Sequence, residues 1–143
     1  MPTREAHARW EGSLQDGKGQ IDFGNGVFKA AYSFASRFEQ GTGTNPEELL
    51  GAAHAACFAM ALSLVLGKAG LRPEYVDATA HVTVEPHAGG FKITKSCLVC
   101  EARVPGVDQA TFARHAEGAK AGCPVSQALA GIEITLDARL AVE

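Results

Sequence analysis

The stretch from Asn45 to Gly70 constrains the fold more than any other. It opens on a helix-start signal: Asn45 can cap, Pro46 suits the first helical position, and Glu48 sits where a capping-box acid belongs. Glu47 and Glu48 also face the positive end of the helix dipole. Gly70 can stop the helix and Pro73 forbids its continuation, so the signals predict a helix running to Ala69. Small residues fill its body (Gly51, Ala52, Ala53, Ala55, Ala56, Ala59, Ala61), and apolar side chains occur all round it. Such a helix needs cover on every side. A chain of 143 residues, the size of one domain, has little with which to supply it, which favours a homodimer. The run from Leu49 to Leu66 is punctuated by Ala and Gly and holds His54, and it reads as too weakly hydrophobic for a membrane span.

Strand patterns flank this helix. Ala6 to Glu11 precedes a turn-like Gln15-Asp16-Gly17-Lys18-Gly19, and Gln20 to Phe23 runs into the Asn25-Gly26 hairpin signal. Val27 to Phe34 alternates as a third strand, and Arg37-Phe38-Glu39 leads into a Gly/Thr-rich loop. Beyond the helix, Val76 to Glu85 and Phe91 to Val104 read as strands joined through Pro86 to Gly90. Asp108 caps a second helix, Gln109 to Ala121, and Cys123-Pro124 opens a short third one that ends near Ala130. Ile132 to Val142 alternates apolar and polar residues and is the clearest strand. The order implies an α+β fold with a mainly antiparallel sheet, a long central helix and a second main helix, as a single domain over residues 1–143.

Thirteen basic and sixteen acidic side chains leave a net charge of −3, and no basic run or stripe is present, so no nucleic-acid partner is expected. Met1 to Trp10 lacks the apolar stretch of a signal peptide, and the expected compartment is the cytoplasm. Cysteines there are reduced at rest, which turns attention to catalysis, metal binding or core packing.

The four cysteines differ in setting. Gly122 ends one helix and Pro124 begins the next, so Cys123 stands at an N-cap, where free N–H groups and the helix dipole favour a thiolate. The alternative is a simple cap or a small buried hydrophobe. Cys57 lies mid-helix among alanines and reads first as buried and inert; as a nucleophile it would need a cation, and Arg37 is the candidate. Arg37 has the competing reading of a solvated surface arginine. Cys97 and Cys100 form a Cys-x-x-Cys, but on a strand positions three apart face opposite sides, so they are read as structural. His54 is three residues before Cys57, close enough for a Cys–His pair; a packed, hydrogen-bonded histidine is the plainer reading. Gly41-Thr42-Gly43 lacks the Lys-Ser/Thr of a phosphate loop.

The run Gly43-Thr44-Asn45-Pro46-Glu47-Glu48-Leu49-Leu50-Gly51-Ala52-Ala53-His54-Ala55-Ala56-Cys57-Phe58 resembles the long-helix signature of the OsmC/Ohr family, with the OsmC branch the nearer match. Ala119 to Ser126 resembles the family's second cysteine motif, and Arg37-Phe38-Glu39, Gly90 to Lys95 and Ile134 to Asp137 also match. The resemblance spans essentially the whole chain. It implies an intertwined homodimer that reduces organic hydroperoxides, with Cys57 as peroxidatic cysteine, Cys123 as resolving cysteine, and Arg37 and Glu47 assisting. It implies no metal, haem or flavin, and an external dithiol as reductant. Cys97 and Cys100 have no place in the pattern. Residues alone rank Cys123 above Cys57 as nucleophile; the resemblance reverses that order.

Glu47 and Cys57 are ten residues apart, which on one straight helix is ~15 Å along the axis and ~80° off-face. One arginine cannot readily touch both, so the expectation is that Glu47 reaches Arg37 from the partner subunit, at an interfacial active site. Phe38 and Phe58 are candidates for apolar walls around it. The competing reading is a small-molecule binding protein of the same fold with inert cysteines. A metal module built on Cys97, Cys100 and a histidine is a further alternative, and an acyl-transfer role is weaker still.

Overall fold

The computed structural model describes residues 2–142. The chain forms two compact units that divide between Leu49 and Leu50.

The first unit holds β1 (Ala6–Glu11), β2 (Lys18–Phe23) and β3 (Lys29–Tyr32) as an antiparallel meander. Residues 34–38, expected to finish a strand and enter a loop, instead make a short helix, α1 (Phe34–Phe38). The cause is local. Ser33 and Ser36 form a reciprocal capping box: Ser36 N–H donates to Ser33 Oγ (3.1 Å) and Ser33 N–H to Ser36 Oγ (2.8 Å). The loop after α1 returns to β3 through Gly43, whose φ of 108° suits glycine, and a Cβ there would sit 2.6 Å from the Ala31 carbonyl oxygen. Thr44 N–H then donates to Ala31 O (2.9 Å).

The long helix α2 (Pro46–Lys68) starts and stops close to where the signals put it. Asn45 Oδ1 accepts from Glu48 N–H (2.8 Å), and Asn45 Nδ2 donates to Ser36 O (2.9 Å), so the cap also ties α2 to α1. The Glu48 carboxylate does not complete the box; it accepts from Thr44 Oγ1 at 3.4 Å. Asn45→Ala is expected to cost about 1–2 kcal/mol by losing the cap and leaving the Ser36 carbonyl short of a donor. Asn45→Asp, which keeps only the acceptor, should cost less. Urea midpoints of the two variants check this, and equal midpoints would show that the cap bond from Glu48 N–H contributes nothing.

The second unit carries the rest of α2, then β4 (Tyr75–His87), β5 (Gly90–Arg103), α3 (Gln109–Gly122), α4 (Pro124–Ala128) and β6 (Glu133–Leu140). The strands make a separate three-stranded sheet in the order β4-β5-β6. The β4–β5 pair is antiparallel, whereas β5 and β6 are parallel, α3 and α4 providing the crossover. The fold is therefore α+β as expected, with two sheets and one parallel pair among the described residues.

Gly51, His54, Phe58, Leu62 and Leu66 form the buried stripe of α2, at helical spacing. Phe58, Leu62 and Leu66 pack into a core with Leu98, Cys100, Ala102 and Phe112. Gly51 lets α2 approach β4: a Cβ would stand 3.3 Å from the Ala80 carbonyl oxygen. Phe58 is fully buried in this core, which removes it as a wall of any open site. The opposite stripe of α2 is exposed, with Met60 77% and Leu64 60% accessible beside Ala53, Ala56 and Gly67. The helix is thus covered on one side by its own chain and bare on the other. By length and composition it is apolar enough to cross a membrane, against the sequence expectation. Its buried stripe, with a histidine bonded at both ring nitrogens, marks it as the core helix of this unit.

Candidate active site

Cys57 comes from the middle of α2 and Cys123 from the junction of α3 and α4. Both are free thiols, and their sulfurs lie 2.8 Å apart, sharing a hydrogen bond. Cys57 is half-buried and Cys123 fully buried. The local reason for this meeting is the sharp junction: α3 ends at Gly122, Pro124 restarts the chain as α4, and Cys123 between them is the N-cap residue, as its sequence neighbours require.

The two sulfurs titrate differently. Burial raises the pKa of Cys57 first, and the neighbouring Cys123 raises it further; the Val125 N–H opposes both without cancelling them. Burial also pushes Cys123 upward, but there the nearby Cys57 thiol, the Ser126 N–H and hydroxyl and the Val125 N–H together prevail, leaving it below the ordinary thiol value. In this chain alone, Cys123 is the readier thiolate.

His54 does not pair with Cys57. Its Nδ1 meets Ser96 Oγ on β5 at 2.7 Å and its Nε2 meets Ser126 Oγ on α4 at 2.8 Å. The ring is fully buried, and burial holds its pKa below the usual histidine value, which favours the neutral form. Ser126 is in turn among the groups that lower the Cys123 pKa. Ser96 and Ser126 were missed by sequence reasoning; Ser126 stands three residues after an N-cap, a spacing that puts its hydroxyl back toward the cap.

Arg37 and Glu47 belong to the first unit. Arg37 sits in the last turn of α1, not in a loop, and grips Glu47 in the first turn of α2 with two bonds: Nε to Oε1 (3.0 Å) and Nη2 to Oε2 (3.1 Å). The expectation that Glu47 reaches Arg37 from another subunit is corrected: both lie in one chain. The Gly43 return and the Asn45–Ser36 bond bring α1 against the start of α2, so a 10-residue separation closes locally. Glu47 is buried and Arg37 is about one-third exposed. The guanidinium lies 5.1 Å from the Phe38 ring centroid. Beside it opens a cleft of about 190 Å³ lined by Trp10, Leu14, Tyr32, Phe34 and Phe38.

On β5, Cys97 and Cys100 pair across the ladder with His81 and Ala78, and Cys100 is buried, with its pKa pushed up to about 11 by burial and then by Asp77 and Glu101. Among the described residues, no group of three or more His, Cys, Asp or Glu side chains is arranged to hold a metal ion.

Residues 39–137 match the family described as OsmC-like protein. The chain belongs to the OsmC-like family. It is 52% identical to the peroxiredoxin OsmC of Escherichia coli K12 over 96% of both chains. It is 37% identical to an organic hydroperoxide resistance protein of Xanthomonas axonopodis pv. citri over 67% of each. The crystal structure of the organic hydroperoxide resistance protein OhrB of Bacillus subtilis superposes with a TM-score of 0.75 at 28% identity, covering 97% of this chain and 98% of that one. The OsmC-like assignment therefore rests on sequence and fold together.

Proposed function

We propose that this OsmC-like protein is a thiol-dependent peroxidase that reduces organic hydroperoxides to alcohols, with Cys57 as the peroxidatic and Cys123 as the resolving cysteine. The observation that carries the reading is the 2.8 Å approach of two free thiols, one on the family's long helix and one at a helix junction. The Cys57 thiolate attacks the outer peroxide oxygen. The O–O bond breaks, the alkoxide leaves and takes a proton to become the alcohol, and Cys57 becomes a sulfenic acid. Cys123 then attacks that sulfur, an S–S bond replaces the S–O bond, and water leaves. An external dithiol reopens the disulfide. None of these steps calls for a metal, haem or flavin.

Cys57 needs help to ionise, since its surroundings raise its pKa. Arg37, aligned by Glu47, is the group we assign to that task. Because Arg37 is clamped to Glu47 of its own chain, and Glu47 precedes Cys57 by ~15 Å of helix, we assign the Arg37–Glu47 pair as a whole to the partner's Cys57. Two copies of the chain then build each site. The bare stripe of α2, with Met60 and Leu64, supplies apolar surface for such a homodimer. We place the protein in the cytoplasm, where reductants keep its four free cysteines in the thiol state.

The aromatic cleft beside Arg37 suits the hydrocarbon part of a peroxide. With dithiothreitol as reductant, cumene hydroperoxide is therefore expected to be turned over at least about tenfold more efficiently than hydrogen peroxide, from burial of its aryl and methyl groups. Equal efficiencies would sink the assignment of the cleft, and no turnover of either peroxide would sink the peroxidase reading.

A further inference from the structure

A buried polar chain runs through the second unit without any part in the peroxidase scheme above. Ser96 on β5, His54 on α2 and Ser126 on α4 are joined at 2.7 and 2.8 Å, and all three are buried. Its last member, Ser126, stands three residues after Cys123 in the first turn of α4, and its hydroxyl is among the groups that lower the Cys123 pKa. Donor and acceptor roles along it are linked. If the Ser126 hydroxyl donates to sulfur, its oxygen is left to accept from His54 Nε2–H. His54 Nδ1 is then the acceptor, and Ser96 must donate to it. Every proton in the chain then points toward Cys123.

We propose that His54 is a positioning residue for disulfide formation: held by Ser96, it fixes the Ser126 hydroxyl as a donor to Cys123 Sγ and so stabilises the attacking thiolate. The neutral ring suits this task, because its Nδ1 accepts from Ser96 while Nε2–H donates to Ser126; a protonated ring would lose the bond from Ser96. Cys57 on α2 is the titratable group facing Cys123; from β5 the group brought here is the uncharged Ser96. The step balances without a further reagent. The Cys123 thiol loses its proton, the thiolate attacks the Cys57 sulfenic acid, the S–O bond breaks, and the departing hydroxide with that proton makes water.

This inference rests on the roles proposed for Cys57 and Cys123, and one experiment separates the two. Reduced protein is mixed with one equivalent of cumene hydroperoxide and no reductant. Sulfenic acid formation at Cys57 and then disulfide formation are followed at a series of pH values. Wild type must show both phases; if Cys57 is never oxidised, the peroxidase assignment fails before this one is reached. Given both phases, Ser126→Ala should move the midpoint of the disulfide phase upward by about one pH unit, slowing that phase about tenfold below the midpoint. Ser126→Thr, which keeps the hydroxyl, should restore the wild-type midpoint. His54→Gln, a smaller disturbance to the core than His54→Ala, can still donate to Ser126 and should shift the midpoint less than His54→Leu. A Ser126→Ala midpoint equal to wild type would overturn the proposal. So would a Ser126→Thr midpoint as displaced as that of Ser126→Ala.

Discussion

Cys57→Ser is expected to abolish peroxidase turnover, a loss of at least about 10³-fold, because serine at this position cannot take oxygen from a peroxide. Cys123→Ser should behave differently. It should consume one equivalent of cumene hydroperoxide and then stall, with a sulfenic acid on Cys57 that dimedone traps and mass spectrometry locates. The comparison matters because the two thiols compete for the leading role. In the isolated chain Cys123 is the one pulled below the ordinary thiol value, and Cys57 the one pushed above it. Charge state alone would name Cys123 as the peroxide's target. Access argues the other way, since Cys57 keeps part of its surface open and Cys123 is fully buried. A resolving thiol gains from being buried and already ionisable, since it attacks an adjacent sulfur and never meets the peroxide. A dimedone adduct on Cys123 in the Cys57→Ser variant would exchange the two roles.

The sequence carried the elements well where the signal was local. The caps of α2, the Cys123-Pro124 junction and the alternation of β6 all lie where their residues put them. Helix α1 was hidden because its five residues include two phenylalanines, which suit a strand equally well, and its cause is a pair of serines whose reciprocal bonds have no apolar period. The parallel pairing of β6 with β5 was not readable from β6 itself, because alternation fixes which face is buried and not the direction of the neighbour. At the site, burial misled. A Cys or His among alanines reads as core, and His54 is indeed fully buried, yet both of its nitrogens are committed to hydroxyls from elements 42 and 72 residues away. No spacing rule reaches that far. The Arg37–Glu47 expectation failed for a related reason. The expectation gave Arg37 a Glu47 from the partner subunit, and finding the carboxylate in the same chain required knowing how the loop through Gly43 folds back.

That correction sets up a second large effect. Arg37→Ala is expected to slow oxidation of Cys57 at neutral pH by about 10²-fold, the consequence of losing a cation that lowers a thiol pKa by about two units. The sign follows from the charge. Without the guanidinium the Cys57 pKa rises, so the acid limb of the pH–rate profile moves to higher pH and much of the lost rate should return in alkaline buffer. Glu47→Gln should produce a smaller shift of the same kind, since it loosens the arginine without removing it. Mixed dimers identify the chain from which the cation comes. When Cys57→Ser and Arg37→Ala chains carry different tags and are purified through both, a dimer that shares its site between chains contains one intact set: Cys57 and Cys123 of one copy with Arg37 and Glu47 of the other. Such a dimer should regain about half of the wild-type activity. If Arg37 serves the thiol of its own chain, neither site is whole and the mixed dimer stays as slow as its parents. The tight Arg37–Glu47 clamp makes the first outcome the expected one. Moving the arginine away from Glu47 to a thiol would mean breaking two charge-assisted bonds to a buried carboxylate, whereas a partner's thiol can come to an arginine that stays where it is.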